Sequence, residues 1–366
     1  MAIIGSGITI GPGIIFSSIP GLYTFTNFTF TTANLVGASS GNLTQFKANY
    51  NTSSNTWIND TSYYNITTPG YQIWTVPTTG TYEIEAAGSR SGNVQPAANL
   101  FGYGAIVRAR VSLTQGSNVT IAVGQPSANV TQVSTYCSAG GGGGTWVVQG
   151  NVALVVAGGG GGVGFWTGNT PNYRISGNGV TSTWAGNSFN GAAGGTLGQG
   201  GSSHLNISAV PSINAYDSGG GGGWISNGVN GINNVRTNTT NGSTGGGGQG
   251  WNANLLGGVN ATTYPSPATS PGGFGGGGGA SPISGGGGGG YPGGGGGYSG
   301  GGGGYSGSAT SEDSGGGGGS YIIANATVVA TSDGNYNGAS TFGGASITNI
   351  GTFNANPGYV KITYIG

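Results

Sequence analysis

Few side chains in this sequence are suited to acid–base chemistry. Two pairs of carboxylates lie close together along the chain, Glu83 with Glu85 and Glu312 with Asp313. Glycoside hydrolysis uses such pairs, with one carboxyl as the acid and the other as base or nucleophile. Here one pair alternates along a strand pattern and the other lies between glycine runs, so we interpret both as structural or solvated. A depolymerase built on Glu312 and Asp313 is kept as an alternative to the prediction that the protein is not an enzyme.

The remaining reactive groups are single. Cys137 is the only cysteine and His204 the only histidine, which excludes an intrachain disulfide and a Cys/His zinc cluster. No nucleophile motif surrounds either residue. The string G-x-G-x-x-G recurs, but every glycine run matches it, and neither Lys-Ser/Thr nor a βαβ pattern accompanies it. The sequence predicts no catalytic residue, no metal and no cofactor.

The charge content excludes further classes of partner. Of 366 residues, 88 are glycine, only seven are basic and seven are acidic, and the net charge is zero. This balance provides no electrostatic surface for nucleic acid or for an anionic membrane. No run of 18 apolar residues predicts membrane insertion. The N-terminal sequence lacks the features of a secretory signal peptide, so we expect a virion-surface or extracellular location reached by another route. Numerous Asn-x-Ser/Thr triplets are interpreted as products of an Asn- and Thr-rich surface.

The elements that would position these residues are strands. Apolar and polar residues alternate with period two in several segments rich in β-branched and aromatic residues, and no segment has a helical pattern. We therefore predict an all-β fold with essentially no α-helix. The predicted strands lie in YQIWTVP from Tyr71, TYEIEAAG, 104–113, 118–123, 145–148, 153–157, SYIIANATVVA and GYVKITYI.

The order of these patterns suggests how the chain is divided. Strands open and close the larger part of the chain, so the glycine-rich material between them is predicted to be an insertion held at both ends. The predicted divisions are an extended anchoring arm at 1–20, an N-terminal β region at 21–70, and a glycine-rich β-sandwich domain at 71–366 with its insertion at about 158–319.

The glycine runs admit three interpretations. Collagen requires glycine at every third position, and these runs show no such period. A flexible linker would be flanked by Ser, Lys or Glu, whereas these runs are bounded by aromatic residues and are mostly four to six residues long. The third interpretation is a packed bundle of polyglycine II helices, extended left-handed helices with three residues per turn that hydrogen-bond sideways. We favour this bundle, with turns at Tyr291, Tyr298 and Tyr305, which recur every seven residues.

Several of these motifs, in order, resemble a known family. They are Y-x-I-W-T-V-P-x-x-G-x-Y-x-I-E-A-A-G at 71–88, GYGAIVRARVSLTQGSNVTIAVGQ at 102–125, GGGGGTWVV, LVVAGGGGG, and GGFGGGGGASPISGGGGGGYPGG at 272–294. The series is similar to the glycine-rich domain of anaplastic lymphoma kinase-type receptors and its phage and bacterial relatives. The resemblance, over roughly 70–366, implies a jelly-roll-like sandwich with inserted polyglycine helices. The receptors also carry cysteines in this domain, followed by a membrane span and a kinase. This sequence has Cys137 as its single cysteine and no pattern of a membrane span or a kinase, so receptor signalling is not carried over.

A looser resemblance points to function. Tail-fibre tip adhesins of T-even-like phages alternate glycine runs with loops that contact the host receptor. By the same logic the loops of this chain lie in 163–218, 224–244, 249–271 and 305–314. Large aromatic side chains suit such contacts. The candidate recognition residues are Trp166, Tyr173, Trp184, Phe189, Tyr216, Trp224, Trp251 and Tyr264, although capping of the bundle is an alternative role for many of them.

The sequence thus suggests a phage virion surface protein, a tail fibre, fibre tip adhesin or decoration that attaches to the host surface. The expected partners are other virion proteins through residues 1–70, a host surface glycan or outer-membrane protein, and further copies of the chain as a homo-oligomer, for which a trimer is plausible. The alternative is a structural subunit of an extracellular or virion filament, in which the arm at 1–20 adds a strand to a neighbouring copy.

Overall fold

The structure is a computed structural model. The residues it describes are 20–50, 52–95, 101–131, 136–166, 177–187, 192–203, 218–231, 244–260, 268–281, 296–301, 303, 315–332 and 354–366.

Strands dominate this part of the chain. In chain order they are β1 (Asn27–Thr31), β2 (Tyr64–Asn65), β3 (Tyr71–Thr75), β4 (Gly80–Ala87), β5 (Val94–Gln95), β6 (Ile106–Leu113), β7 (Asn118–Ala122), β8 (Val130–Thr131), β9 (Tyr136–Ser138), β10 (Thr145–Gln149), β11 (Val152–Ala157), β12 (Gly164–Trp166), β13 (Ala268–Thr269), β14 (Tyr321–Ile322), β15 (Thr327–Ser332) and β16 (Tyr359–Tyr364). Among the residues that the structure describes, helical structure is limited to α1 (Leu43–Asn49) and two 3₁₀ turns, Thr56–Asn59 and Trp251–Ala253. This confirms the prediction of an all-β fold with almost no helix.

Two antiparallel sheets form the body of the molecule. Sheet A has the order β1-β16-β4-β6-β15, and sheet B has the order β14-β11-β10-β7-β3-β2. Smaller sheets join β12, β9 and β13, and β5 with β8. The alternation predicted for 81–88 holds in β4, where Tyr82 and Ile84 are buried and Glu83 and Glu85 face outward. Strands with one buried face require a second layer to cover it.

One hydrophobic core lies between sheets A and B. Its largest fully buried side chains include Trp74, Tyr82, Ile121 and Ile362. Phe28, Phe30, Phe46 and Trp57, from the predicted N-terminal β region, lie in the same cluster. That region therefore packs as part of the sandwich, and β1 continues sheet A beside β16.

The short helix α1 was not predicted from the alternation of apolar and polar residues, and it begins at a capping box. Asn42 accepts a hydrogen bond from the Gln45 backbone N–H, and the Gln45 side chain accepts one from the Asn42 N–H. This reciprocal capping box starts a helix even in a sequence with weak helical periodicity. The helix buries Phe46 against the core.

The two ends of the sandwich differ. The turns after β3, β6 and β10 lie at one end, which we call the basal end. Leu22 donates to Pro77 there at 2.8 Å, and Thr81 donates to Gly366 at 2.8 Å. The glycine-rich segments leave from the opposite end, where β11 stops and β14 begins. Val155 and Val156 pair with Ile322 and Tyr321, so the chain leaves and re-enters the body on adjacent strands.

Candidate functional site

The glycine-rich segments are joined sideways by backbone hydrogen bonds that repeat every three residues. In the run 219–223, the first and fourth N–H groups donate to the run 275–279, at 3.1 and 2.7 Å. The second and fifth donate to the segment 226–229, both at 2.9 Å, and the third donates to Gly301 at 2.8 Å. The N–H groups of three successive residues therefore donate to three different neighbouring segments, and the N–H group of the fourth residue donates to the same segment as that of the first.

The same spacing recurs elsewhere in the region. Gly315 and Gly318 donate to the run 158–162 at 3.2 and 2.9 Å. Gly300 and Gly303 donate to the segment 199–202 at 3.0 and 2.9 Å. We call the joined set the glycine bundle; its described segments are 140–144, 158–162, 177–187, 192–203, 218–231, 244–260, 270–281, 296–303 without 302, and 315–319.

Contact between the segments is too close for side chains. A Cβ atom added at Gly143, Gly219 or Gly300 would lie closer than 3.0 Å to a backbone carbonyl oxygen of a neighbouring segment. A Cα hydrogen therefore points at that carbonyl, the geometry of a weak Cα–H···O contact that contributes about 0.5–1 kcal/mol. Because such contacts recur across the bundle, they help to offset the high entropic cost of ordering glycine.

Side-chain oxygens replace carbonyl acceptors at several positions in the bundle. Asn227 and Asn230, three residues apart, accept from the N–H groups of Gly250 and Gly247, each at 2.8 Å. Serine hydroxyls do the same, accepting from Gly140, Gly158, Gly198 and Gly200 at 2.9–3.1 Å. Backbone donors that would otherwise lack a partner are thereby satisfied.

Aromatic side chains connect the bundle to the outer face of sheet B. Trp146 on β10 is fully buried, and its ring centroid lies 6.2 Å from that of Trp224 and 5.8 Å from that of Trp251. Phe274 is also fully buried, and Tyr71 donates its hydroxyl to the backbone oxygen of Trp251 at 3.0 Å. We call this group the aromatic seat. It fixes the end of the bundle nearest the sandwich, the proximal end.

The turns at the proximal end are short. They lie at 182–185, 196–199, 224–226, 250–256, 274–276 and 298–299. The Tyr298 ring stacks on Tyr321 of β14, with centroids 4.4 Å apart and planes at 13°. Tyr298 lies in the bend at 297–299. Tyr291 and Tyr305, the other two predicted turn residues, lie outside the described residues.

The candidate recognition residues have different environments. Trp224 and Trp251 lie in the aromatic seat, half-buried and turned toward the sandwich. Trp184, in a proximal turn, is 62% exposed. Trp166 ends β12, which pairs with β9. The other four, Tyr173, Phe189, Tyr216 and Tyr264, lie outside the described residues.

The segment ends far from the sandwich lie together at what we call the distal end. Ser203 donates its hydroxyl to Asn230 O at 2.9 Å, and the Ser218 and Ser281 hydroxyl oxygens are 3.2 Å apart. These residues flank stretches outside the described residues, as do the other ends gathered there. The stretches are 204–217, 232–243, 261–267, 304–314 and, on the side of Ser281 only, 282–295; Gly296, on its other side, lies two residues from the proximal Tyr298.

The carboxylates Glu83 and Glu85 are tied to arginines on the outer face of sheet A. Glu85 pairs with Arg108, whose Nε donates at 2.6 Å, and accepts from Tyr359 at 2.7 Å. Glu83 pairs with Arg110 at 3.1 Å. The cavity beside them measures about 120 Å³, small against the 300–1,000 Å³ typical of ligand sites. This supports the interpretation of the pair as structural; Glu312 and Asp313 lie outside the described residues.

Cys137 is buried on β9, and burial raises the pKa of its thiol to about 12. Because the thiolate is the reactive form, this environment disfavours nucleophilic chemistry; His204 lies outside the described residues. Within the described ranges there is no group of three His, Cys, Asp or Glu residues placed to hold a metal. No helix in those ranges is both long and apolar enough to cross a membrane.

Comparison with models of known protein families found no match, and comparison with curated proteins found no similar sequence.

Proposed function

We propose that this chain is a phage virion surface protein, a tail fibre, fibre tip adhesin or decoration, that attaches to the host surface through the distal end of its glycine bundle. In this proposal the sandwich is of the jelly-roll type, the bundle consists of polyglycine II helices, and residues 1–70 bind other virion proteins. The bundle serves as a rigid support for the connecting stretches.

The three-residue hydrogen-bond repeat supports the polyglycine II assignment. An extended helix with three residues per turn directs successive N–H groups about 120° apart. The run 219–223 donates in this order to three neighbours and then returns to the first. A flexible linker would make no such ordered series of lateral bonds.

The observation that carries the attachment proposal is the difference between the two ends of the bundle. Proximal connections are short turns, of which 224–226, 250–256 and 274–276 pack in the aromatic seat, whereas most flanks of the longer stretches gather at the distal end. Binding residues are often carried on loops held by a rigid scaffold. The stretches at 204–217 and 232–243 contain Tyr216, Asn, Thr and Ser, which suit contacts with a glycan or an outer-membrane protein.

The described bundle segments offer neutral recognition chemistry. The described segments between 111 and 360 contain no charged residue, so contacts from the bundle itself rely on amides and hydroxyls, with little dependence on salt. The distal stretches add a few charged residues, among them Asp217 and Arg236.

A competition assay tests this function. Purified protein is expected to block adsorption of the phage that encodes it, and antibodies against the protein should label particles. Replacing 204–217 and 232–243 with Gly/Ser segments of equal length should weaken competition, since loss of one hot spot contributing about 2 kcal/mol reduces binding roughly 30-fold. A matched control replaces the exposed proximal residues Leu197 and Ile225 with Ser. Absence from particles, or equal competition by wild type and the loop-replaced variant, would contradict the proposal.

A further inference from the structure

Strand β1 is the sheet edge with the least protection against pairing. The edges of sheet B, β14 and β2, are each two residues long. The other edge of sheet A, β15, carries a register shift between Val328 and Ala330. Short strands and bulges are common means of preventing edge-to-edge pairing. By contrast, β1 is five residues long, pairs in regular register, and contains neither proline nor charge.

Part of the outer backbone of β1 has no hydrogen-bond partner among the described residues. Tyr364 donates to Thr26 O at 2.9 Å, and hydrogen-bonded pairs alternate along an antiparallel ladder. Asn27, Thr29 and Thr31 therefore direct their N–H and C=O groups away from β16. The Thr31 N–H donates to the Tyr50 hydroxyl at 3.0 Å, whereas the outward groups of Asn27 and Thr29 have no partner among the described residues. Both side chains are exposed.

We propose that β1 accepts an added strand from segment 1–19 of a second copy of this chain. The segment contains no charged residue and includes the alternating stretch G-I-T-I-G at 7–11. Its I-T-I pattern matches the F-T-F of β1, in which Phe28 and Phe30 are buried and Thr29 is exposed. Addition would place the isoleucines beside the phenylalanines and threonine beside threonine, extending both faces of sheet A.

The point at which the chain enters the body argues for exchange between copies. Pro20 O accepts from the Gln115 side chain at 3.0 Å, and Leu22 donates to Pro77 at 2.8 Å. These partners adjoin β6 and β4, which lie three and two strands from β1. At a strand spacing of about 4.8 Å, the segment starts roughly 10–14 Å from the β1 edge and would have to turn back across the basal end to reach it. Pairing within one copy and exchange between copies are distinguished by concentration, since only exchange produces self-association.

A reciprocal exchange between two copies closes a two-fold dimer, whereas a one-way exchange makes head-to-tail contacts. Such contacts generate a ring if the rotation closes and a filament if it does not. The inference goes beyond the attachment function, since it concerns the β1 edge of sheet A and not the distal end of the bundle, and its own readout is assembly.

The test compares Thr29→Pro with Thr29→Val in the full chain. Proline removes only the outward N–H, leaving the ladder to β16 intact, whereas valine changes the side chain and keeps the donor. Sedimentation velocity over a concentration series should show self-association of wild type and T29V, and at least a tenfold weaker association of T29P and of a chain lacking residues 1–19. A synthetic peptide of residues 1–19 should dissociate wild-type assemblies, which tests the contact without any substitution.

Three results would overturn the inference. These are a monomeric wild type at all concentrations, association of T29P equal to that of T29V, and association that survives removal of residues 1–19. Circular dichroism and thermal unfolding identify any variant that fails to fold, and the peptide experiment then decides alone.

Discussion

A single methyl group placed inside the glycine bundle should be far more damaging than the same group near its surface. Gly220 donates to Val229 O and accepts from Gly248 N, each at 2.9 Å. A Cβ atom at this position would lie closer than 3.0 Å to the carbonyl oxygen and carbon of Gly201. These are backbone atoms, so no side-chain rotation can relieve the clash.

The expected cost follows from the bonds that must open. Moving the segment 199–203 away from Gly220 disturbs the bond from Gly201 N–H to Gly221 and the one from Val229 N–H to Gly201 O, at 2.8 and 2.9 Å. Opening each of these two bonds costs about 1–3 kcal/mol, because a buried group loses its partner. Gly220→Ala should therefore lose about 2–6 kcal/mol, a large fraction of the stability of an ordinary domain.

Gly186→Ala is the matched control. Gly186 lies in the same bundle and donates to Gly317 at 2.8 Å, but the atom nearest to its added Cβ is Gly317 N at 3.2 Å. Because alanine also restricts the unfolded chain, by about 0.4–1 kcal/mol, this variant should stay within about 1 kcal/mol of wild type. Urea unfolding followed by amide hydrogen exchange of the bundle measures both effects. Equal stability of the two variants would refute the close-packed description.

Other predictions concern the sandwich and its attachment to the bundle. Trp146→Ala, which removes the side chain at the centre of the aromatic seat, should lower the free energy of unfolding in urea by about 3–5 kcal/mol. Trp184→Ala, at an exposed turn, should change it by less than about 0.5 kcal/mol. Similar losses in the two variants would show that the aromatic seat is not where the bundle is held. Burial raises the pKa of Tyr50 to about 12. The contribution of its neutral hydroxyl to stability is therefore complete below pH ~10 and falls by about 1.4 kcal/mol per pH unit as the pH rises from there toward 12. Phenolate absorbance against pH, with and without urea, should show ionisation of this tyrosine above the ordinary pKa in the folded state only. Glu85→Gln should lower the free energy of unfolding by less than about 1 kcal/mol, because its partner Arg108 has a side chain that is 31% exposed. This loss should shrink in high salt, whereas Lys361→Gln, at an exposed position, should cause almost no loss of stability.

The strands of the sandwich could be predicted because each carries its own period-two pattern. TYEIEAAG alternates buried and outward residues, and the structure places β4 there, at Gly80–Ala87. The pairing of β1 with β16 joins the two ends of the chain and depends on long-range register that no local pattern encodes. The helix α1 was missed for a different reason: its signal is the capping pair Asn42 and Gln45, not periodicity.

Several bundle segments escaped prediction because they are not glycine runs. The stretches 177–187, 192–203 and 226–231 were predicted to be parts of loops, yet their backbones bond sideways like the runs. In 226–231 only Gly228 and Gly231, three residues apart, are glycine. A helix with three residues per turn needs glycine only on the sides that face neighbours, and Asn or Val is tolerated on the open side. Glycine at every third position beside Asn was the available signal.

Under the proposed attachment function, the bundle separates stability from recognition. Its lateral bonds join backbone groups, which are the same in every residue type, and its aromatic anchors Trp146, Trp224 and Phe274 lie at the proximal end. The flanks of the distal stretch 232–243 are joined to each other, since Gly231 donates to Gly245 at 2.9 Å. The bonds that join the described segments therefore use no atom of that stretch. Distal replacements should accordingly leave the free energy of unfolding almost unchanged while binding is altered, a combination that a packed core does not permit.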